Sequence, residues 1–169
     1  LMTMQVVRAF GARVLLAGTD ADGERLALGR RLGAEYTVNV QQEDLGGKVR
    51  ELTGGKGVDA VMECSGNQHA MNAALHVMKK RAYFTQIGMG APVIPFYVEA
   101  LNYKEPVITG SLGSRKANWV QALDLLSRGK VLVEDIANVR MPMEQWKEAF
   151  DRFRRKDGGK FILLPFAEG

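Results

Sequence analysis

Short apolar stretches alternate with helical segments of about ten residues over most of this chain. In the stretches VLLAG and VDAVME the apolar residues are largely consecutive and do not alternate with polar ones. Consecutive apolar residues are typical of strands that are covered on both faces. Strands that alternate with helices form βαβ crossovers, so the sequence predicts the α/β class and a doubly wound parallel sheet.

The predicted elements follow one another in a regular order along the chain. Strands are predicted at residues 13–17, which read as buried, and at 36–39, 58–66, 82–87, 106–109 and 161–164, with an extended segment at 131–140. The segment at 58–66, VDAVMECSG, reads as an internal strand. Helices are predicted at residues 1–10, 20–32, 43–52, 68–78, 97–101, 118–128 and 143–153.

Composition excludes several classes of protein. The net charge is +4, but the basic residues are scattered apart from the run at 152–156, which reads as a solvated helix end and not as a nucleic-acid patch. No apolar run approaches the ~20 residues that span a bilayer. Cys64 is the only cysteine, so the chain has no internal disulfide, and we expect a reducing, cytoplasmic location.

The last predicted helix carries a regular apolar pattern. Met143, Trp146, Phe150 and Phe153 recur at helical spacing and therefore lie on one stripe. Such a stripe is most often part of a hydrophobic core, so these residues are predicted to be buried and not to bind a ligand.

An acidic residue follows the first predicted strand. Asp20 comes directly after VLLAGT, where the second strand of a dinucleotide-binding βαβ unit places a carboxylate. That carboxylate accepts both ribose hydroxyls of an adenosine, and its charge repels the 2′-phosphate of NADP, so NAD is favoured. Arg25 could lie along the adenine face. Alternatively, Asp20 or Asp22 caps the next helix.

Small residues follow two further strands at the edge where open α/β sheets place ligands. At the end of the strand at 58–66, Gly66 would allow a close approach by a cofactor and the Ser65 hydroxyl could bond a ribose. Alternatively, Ser65 starts the next helix and Cys64 is a small buried apolar residue. The stretch of Ile87, Gly88, Met89 and Gly90 could present main-chain groups to a flat amide such as nicotinamide, or could be a tight turn.

The sequence offers no complete catalytic or metal constellation. His69 and His76 lie seven residues apart in one predicted helix, too distant for a local chelate. Neither histidine has a carboxylate or nucleophile fixed beside it by the pattern. The glycines at 54–57 precede a strand, whereas a phosphate-binding loop opens a helix. No catalytic residue and no metal ligand are therefore assigned.

Three stretches together resemble one known family. In chain order these are VLLAGTDADGERLALGRRLGAEYTVN, VDAVMECSG and FTQIGMG, and their order and spacing are similar to those of the zinc-dependent medium-chain alcohol and polyol dehydrogenases, most of all the sorbitol and threonine dehydrogenase branch. The likeness extends to the closing segment MPMEQWKEAFDRFRRKDGGKFILLP. The resemblance implies a Rossmann domain that binds NAD.

The resemblance also implies roles for individual residues. Asp20 and Arg25 would hold the adenosine half of NAD, while the turn of Cys64, Ser65 and Gly66 would line the cofactor. Residues 87–90 would contact the nicotinamide. A loop that closes over the cofactor in the family would correspond to Leu112, Gly113 and Ser114, with Arg115 as a nicotinamide-side or phosphate contact.

Part of the family pattern is not in this sequence. The catalytic domain that carries the zinc ligands and proton relay has no counterpart, and the first strand with its glycine-rich loop is expected immediately upstream of Leu1. That strand is central in the order 3-2-1-4-5-6, so we expect a gap in the sheet. Residues 1–130 are predicted to be a truncated NAD-binding domain and residues 131–169 a return segment toward the catalytic domain.

The sequence therefore predicts the coenzyme-binding portion of a cytoplasmic, NAD-dependent zinc alcohol or polyol dehydrogenase. The portion alone is expected to be inactive, and the strand at 106–109 is expected to pair with its copy in a homo-oligomer. One alternative is a zinc-free, NADP-dependent quinone or enoyl reductase, which Asp20 argues against. The other is a nucleotide-binding or assembly module without catalytic activity.

Overall fold

The computed structural model describes residues 1–90, 93–155 and 157–165. The chain divides into two compact units. The first unit combines Leu1–Gln41 with Lys116–Gly169, and the second unit comprises Gln42–Arg115. All the strand pairs of the described residues are parallel, which confirms the predicted α/β class.

The first unit begins with a helix and a two-stranded sheet. Its elements in order are α1 (Met2–Ala9), β1 (Leu15–Gly18), a 3₁₀ turn (Asp20–Asp22), α2 (Gly23–Arg31) and β2 (Tyr36–Asn39). β1 pairs with β2 from Leu15 opposite Tyr36 to Gly18 opposite Asn39. α2 ends where Gly33 adopts a φ of +99°, a left-handed conformation that glycine adopts at no steric cost.

β1 differs from its prediction in position and burial. The strand begins two residues later than expected, and Ala17 is exposed, so the prediction of a buried strand over 13–17 is wrong. Arg13 lies before the strand and pairs with Glu35 at 2.7 Å, an ion pair on the surface.

The C-terminal part of the first unit contains a second two-stranded sheet. Its elements are α6 (Lys116–Ser127), β6 (Val139–Pro142), a 3₁₀ turn (Met143–Gln145), α7 (Trp146–Arg154) and β7 (Phe161–Leu164). The extended segment predicted at 131–140 is mostly wrong, because the amides of Ile136 and Ala137 both bond to the Val133 carbonyl in a turn. β7 has the predicted bounds.

The apolar stripe of α7 is exposed. Trp146, Phe150 and Phe153 are 52–55% accessible and Met143 is 42% accessible, whereas Ala149 on the same helix is 3% accessible. The prediction that the four large residues are core residues is therefore wrong. Helical spacing fixes which residues share a face but not what covers that face. The basic run at 152–156 does lie at a helix end, and its Lys156 falls outside the described residues.

The second unit is a three-stranded parallel sheet with helices. Its elements are α3 (Leu45–Thr53), β3 (Val58–Glu63), α4 (Gln68–Val77), β4 (Met78–Gln86), α5 (Glu99–Lys104) and β5 (Val107–Gly110). The strand order is β3-β4-β5. β4 is thus the central strand of this sheet. β3 is predicted to be an internal strand, and among the described residues it pairs only with β4.

Each unit has its own core. In the second unit Leu75 and Phe84 are fully buried, and Met78 and Ala82 pack with them. Lys104 links α5 to the start of β4 by donating to the Met78 carbonyl at 2.7 Å, and burial lowers the pKa of this lysine. The core of the first unit contains the buried residues Met4, Leu32, Ala34 and Ile136.

The strands on either side of the expected gap belong to different sheets. No ladder joins β1 or β2 to β3, β4 or β5 in the part of the chain that the structure describes. Among the described residues, no helix has the length and apolar character that crossing a membrane requires.

Candidate functional site

Asp20 lies at the carboxyl ends of β1 and β2. Its Oδ1 atom accepts a hydrogen bond from Nδ2 of Asn39, the last residue of β2, at 2.6 Å. Its backbone N–H donates to Oε1 of Gln41 at 2.8 Å, and the Gln41 N–H donates to Oδ1 of Asn39 at 3.1 Å. Asp20 is therefore held at the strand ends by Asn39, which bonds its carboxylate, and by Gln41, which bonds its backbone N–H.

Thr19 and Asp22 close the 3₁₀ turn Asp20–Asp22 with a capping box, in which the Asp22 side chain bonds back to Thr19. The Asp22 Oδ2 atom accepts from the backbone N–H of Thr19 at 3.1 Å and from the Thr19 hydroxyl at 2.8 Å. Arg25 pairs with Oδ1 of Asp22 at 3.2 Å. Asp22 stands at the N-cap position of α2 but makes no side-chain capping bond to that helix. The cofactor contacts of Asp20 and Arg25 stay predictions.

A buried acid, Glu63, closes β3 in the second unit. It is 5% exposed, and its carboxylate accepts hydrogen bonds from the backbone N–H groups of Ser65 and Gly66, each at 2.8 Å. Nε2 of Gln86 donates to it at 2.7 Å, and the Ser65 hydroxyl also donates. Since Gln86 is the last residue of β4, Glu63 links the ends of two adjacent strands.

The hydrogen bonds around Glu63 decide its charge. Burial alone raises the pKa of a carboxyl group because it penalises the charged form. Here burial is the largest single influence on the Glu63 pKa, yet the donors from Ser65, Gly66 and Gln86 together outweigh it and hold that pKa below its ordinary value of 4.5. The side chain is therefore a carboxylate at neutral pH.

Two turns follow these strands. The first turn is Cys64, Ser65 and Gly66, and the second turn is Ile87, Gly88, Met89 and Gly90. The Glu63 carbonyl accepts from the N–H groups of Ile87 at 2.8 Å and Gly88 at 2.9 Å. Glu63 thus bonds the first turn through its carboxylate and the second turn through its main chain.

Glycines allow the main chains of the two turns to touch. A Cβ atom at Gly88 would lie 2.6 Å from the Ser65 nitrogen and also 2.6 Å from the Cys64 carbonyl carbon. Gly66 has a φ of +68°, and a Cβ atom there would lie 2.5 Å from the Met89 carbonyl carbon. These glycines are needed for packing within the chain, whether or not a ligand is bound.

Two alternative interpretations of the first turn, a buried Cys64 and a Ser65 that starts the next helix, are wrong. Cys64 is exposed, so the interpretation of it as a buried apolar residue is wrong. The N-cap of α4 is Asn67, whose side chain accepts from the His69 N–H at 2.8 Å, and not Ser65. The Ser65 hydroxyl donates to Glu63 and accepts from the Asn67 N–H at 3.2 Å.

The remaining predicted cofactor residues lie on loops. Met89 is 83% exposed in the second turn, and Leu112 is 88% exposed in the loop that precedes α6. Gly113, Ser114 and Arg115 follow in the same loop and are exposed. Their contacts with a cofactor stay predictions, because no ligand is present to report on them.

Sequence reasoning missed Glu63. An acid inside an otherwise apolar stretch, VMECSG, was the available signal, because a buried charge requires compensating partners. His69 and His76 both lie on α4, as predicted. Within residues 1–90, 93–155 and 157–165 no three histidine, cysteine, aspartate or glutamate residues are grouped as metal ligands would be.

Comparison with known proteins adds independent evidence. The sequence profile described as zinc-binding dehydrogenase matches residues 1–128. The chain is 34% identical over 153 residues to the D-arabitol-phosphate dehydrogenase of Enterococcus avium, covering 90% of this chain and 44% of that protein. It is 31% identical over 166 residues to the sorbitol dehydrogenase of Halalkalibacterium halodurans, covering 98% and 48% respectively.

Solved structures show the same architecture. An alcohol dehydrogenase from Thermus sp. ATN1 superposes with a TM-score of 0.85 at 27% identity, covering 97% of this chain and 47% of that one. The chain therefore spans about half the length of the relatives it matches.

Replacing Gly88 by Ala is expected to destabilise the protein by about 1–3 kcal/mol, because the new methyl group meets the backbone of the first turn and cannot be relieved by a side-chain rotation. Gly110→Ala is the matched control, since a Cβ atom there meets nothing within 4 Å. Urea unfolding monitored by circular dichroism compares the two. Equal stability of both variants would contradict the close approach of the turns.

Replacing Glu63 by Gln is expected to lower the free energy of unfolding by about 1–3 kcal/mol near neutral pH, because the amide cannot accept from all the donors around it. Since the folded-state pKa of Glu63 is lowered, its contribution is complete above the ordinary value of 4.5 and is lost as the pH falls through the lowered value. The difference between wild type and variant should therefore shrink at acid pH.

Urea unfolding near neutral pH and at about pH 3 measures this difference. Glu51→Gln is the control, since Glu51 is an exposed carboxylate on α3 in the same unit. A Glu63→Gln difference of the same size at both pH values would show that the charge of Glu63 contributes nothing.

Proposed function

Because the chain belongs to the zinc-binding dehydrogenase family, we propose that it is the coenzyme-binding portion of an NAD-dependent alcohol or polyol dehydrogenase. In this proposal residues 1–130 bind the coenzyme, and residues 131–169 lead back toward the catalytic part of the protein. The observation that carries the choice of NAD is the Asp20 carboxylate at the ends of β1 and β2.

The first unit fits the adenosine half of a dinucleotide. Asp20 is exposed and lies at the carboxyl end of a parallel strand, where ligands of open α/β sheets bind. A carboxylate there accepts hydrogen bonds from the two ribose hydroxyls and repels a 2′-phosphate. Asn39 fixes one carboxylate oxygen of Asp20, which limits the rotation of the side chain. Arg25, held by Asp22, is proposed to border the adenine.

The second unit fits the nicotinamide half. Its two turns follow adjacent parallel strands, and three of their seven residues are glycines, which let the turns pack backbone to backbone at the strand ends where ligands of open α/β sheets bind. Cys64, Ser65 and Gly66 are proposed to line the coenzyme, and residues 87–90 to contact the nicotinamide. Leu112, Gly113, Ser114 and Arg115 are proposed to close over it.

NAD supplies the hydride acceptor for oxidation of an alcohol. The chain's own residues bind the coenzyme and orient it. No cluster of metal ligands is found among the described residues, and zinc is proposed to bind in the catalytic part of the protein. Because the chain spans about half the length of its relatives, we propose that these 169 residues alone bind the coenzyme without oxidising alcohols. A small alcohol or polyol is the proposed substrate of the whole protein.

We further propose that β5 mediates a homodimer. β5 is the last strand in the order β3-β4-β5, and its Val107 and Ile108 side chains are 46% and 40% exposed. A strand at a sheet edge presents backbone groups that pair readily with another chain. An edge strand that pairs with its own copy forms a closed two-fold dimer. A cytoplasmic location is proposed from the lone cysteine.

Replacing Asp20 by Asn is expected to weaken NADH binding by about tenfold, because a charge-assisted hydrogen bond to the ribose is lost. NADPH binding should stay the same or improve, since the repulsion of its 2′-phosphate is removed. Fluorescence titration of the protein as its gene encodes it measures both affinities.

Asp124→Asn is the matched control, because Asp124 is an exposed acid on α6. A wild-type protein that binds NADPH more tightly than NADH would favour the zinc-free reductase and contradict the proposal. A wild-type protein that binds neither nucleotide would contradict every coenzyme function.

Replacing Ile108 by Lys is expected to convert a dimer into a monomer, because charged residues, lysine above all, oppose pairing at a sheet edge. Leu132→Lys is the control, since Leu132 is also exposed, at 52%, but lies outside β5. Sedimentation velocity measures the oligomeric state. A wild-type protein that sediments as a monomer would contradict pairing through β5.

A further inference from the structure

We propose that Glu63 is the positioning residue of the nicotinamide half of the coenzyme site, which it assembles by fastening the two turns of the second unit to each other. This inference rests on the proposed function. Glu63 is not one of the residues expected to touch the coenzyme, and it is buried below the turns that are.

One carboxylate oxygen of Glu63 contacts only the first turn, and the other contacts both the first turn and β4. Oε1 accepts from the N–H and the hydroxyl of Ser65, both in the first turn. Oε2 accepts from the Gly66 N–H and from Nε2 of Gln86, at the end of β4. One side chain thus fixes the first turn to the strand from which the second turn begins.

Gln86 extends the connection into the second turn. Its Nε2 atom donates to Glu63 at 2.7 Å and to the Gly88 carbonyl at 2.8 Å. Both contacts are acceptors, so the amide group can only be oriented with its nitrogen toward them. Its Oε1 atom is then buried without a hydrogen-bond partner among the described residues. An unpartnered buried acceptor costs free energy, so the Gln86 orientation is maintained by the contacts of its nitrogen.

The contacts require an acceptor with two oxygens. Backbone N–H groups, a hydroxyl and an amide nitrogen all point toward Glu63. In a Glu63→Gln variant one oxygen becomes an NH₂ group, which cannot accept from the donors on its side. Those donors would move apart, and the turn to which they belong would move with them.

The effect on binding should be confined to one half of the coenzyme. Glu63 and both turns lie in the second unit, whereas Asp20 lies in the first unit. NADH engages both proposed halves, while 5′-AMP lacks the nicotinamide. A comparison of these two ligands therefore separates a loss of positioning from a general loss of the folded protein.

The experiment measures NADH and 5′-AMP binding by the protein as its gene encodes it, using wild type and the variants Glu63→Gln and Gln86→Met. Glu63→Gln is expected to raise the Kd for NADH about tenfold and to leave the Kd for 5′-AMP within about twofold. Gln86→Met removes one of the four donors and is expected to raise the NADH Kd about threefold. Glu51→Gln on α3 is the control, with both affinities unchanged.

Unchanged NADH binding in Glu63→Gln, or an equal loss for NADH and 5′-AMP, would overturn the inference. If Glu63→Gln does not fold, Gln86→Met decides alone, and unchanged NADH affinity in that variant overturns the inference. A wild-type protein that binds neither ligand overturns the proposed function. This outcome differs from the one in which the wild type and the Glu63→Gln variant bind NADH equally well, which overturns only the inference about Glu63.

Discussion

The buried carboxylate of Glu63 is the constraint on which the candidate site depends. A charge away from water is unfavourable unless hydrogen bonds replace the water that it loses. The donors that replace it come from the turn after β3 and from the end of β4, where Gln86 lies 23 residues from Glu63 in the chain. The same hydrogen bonds therefore stabilise the charge of Glu63 and join the ends of β3 and β4.

Close packing of the main chain acts together with that charge. Gly66 and Gly88 leave no room for a Cβ atom between the two turns, so the turns approach each other backbone to backbone. The same glycines lie at the carboxyl ends of parallel strands, where ligands of this class of fold bind. Small residues at these positions thus serve the internal packing of the two turns.

The two proposed halves of the coenzyme site are built in different ways. Asp20 is exposed, and neighbouring polar side chains orient it from the surface. Glu63 is buried and acts through main-chain groups that others present. An exposed acid can contact a ligand directly, whereas a buried acid can only position the groups that do. This difference is the physical reason for giving the two acids different roles.

The sequence by itself determined the order of strands and helices, the bounds of β2 and β7, and Asp20 as an acid at a strand end. These features depend on local periodicity and on glycines that stop helices. Only the tertiary structure decided that Asp22 bonds back to Thr19 in a capping box, that Cys64 and the stripe of α7 are exposed, and that Glu63 joins two turns. Burial and hydrogen bonding across strands depend on what packs against a residue, and no local pattern carries that information.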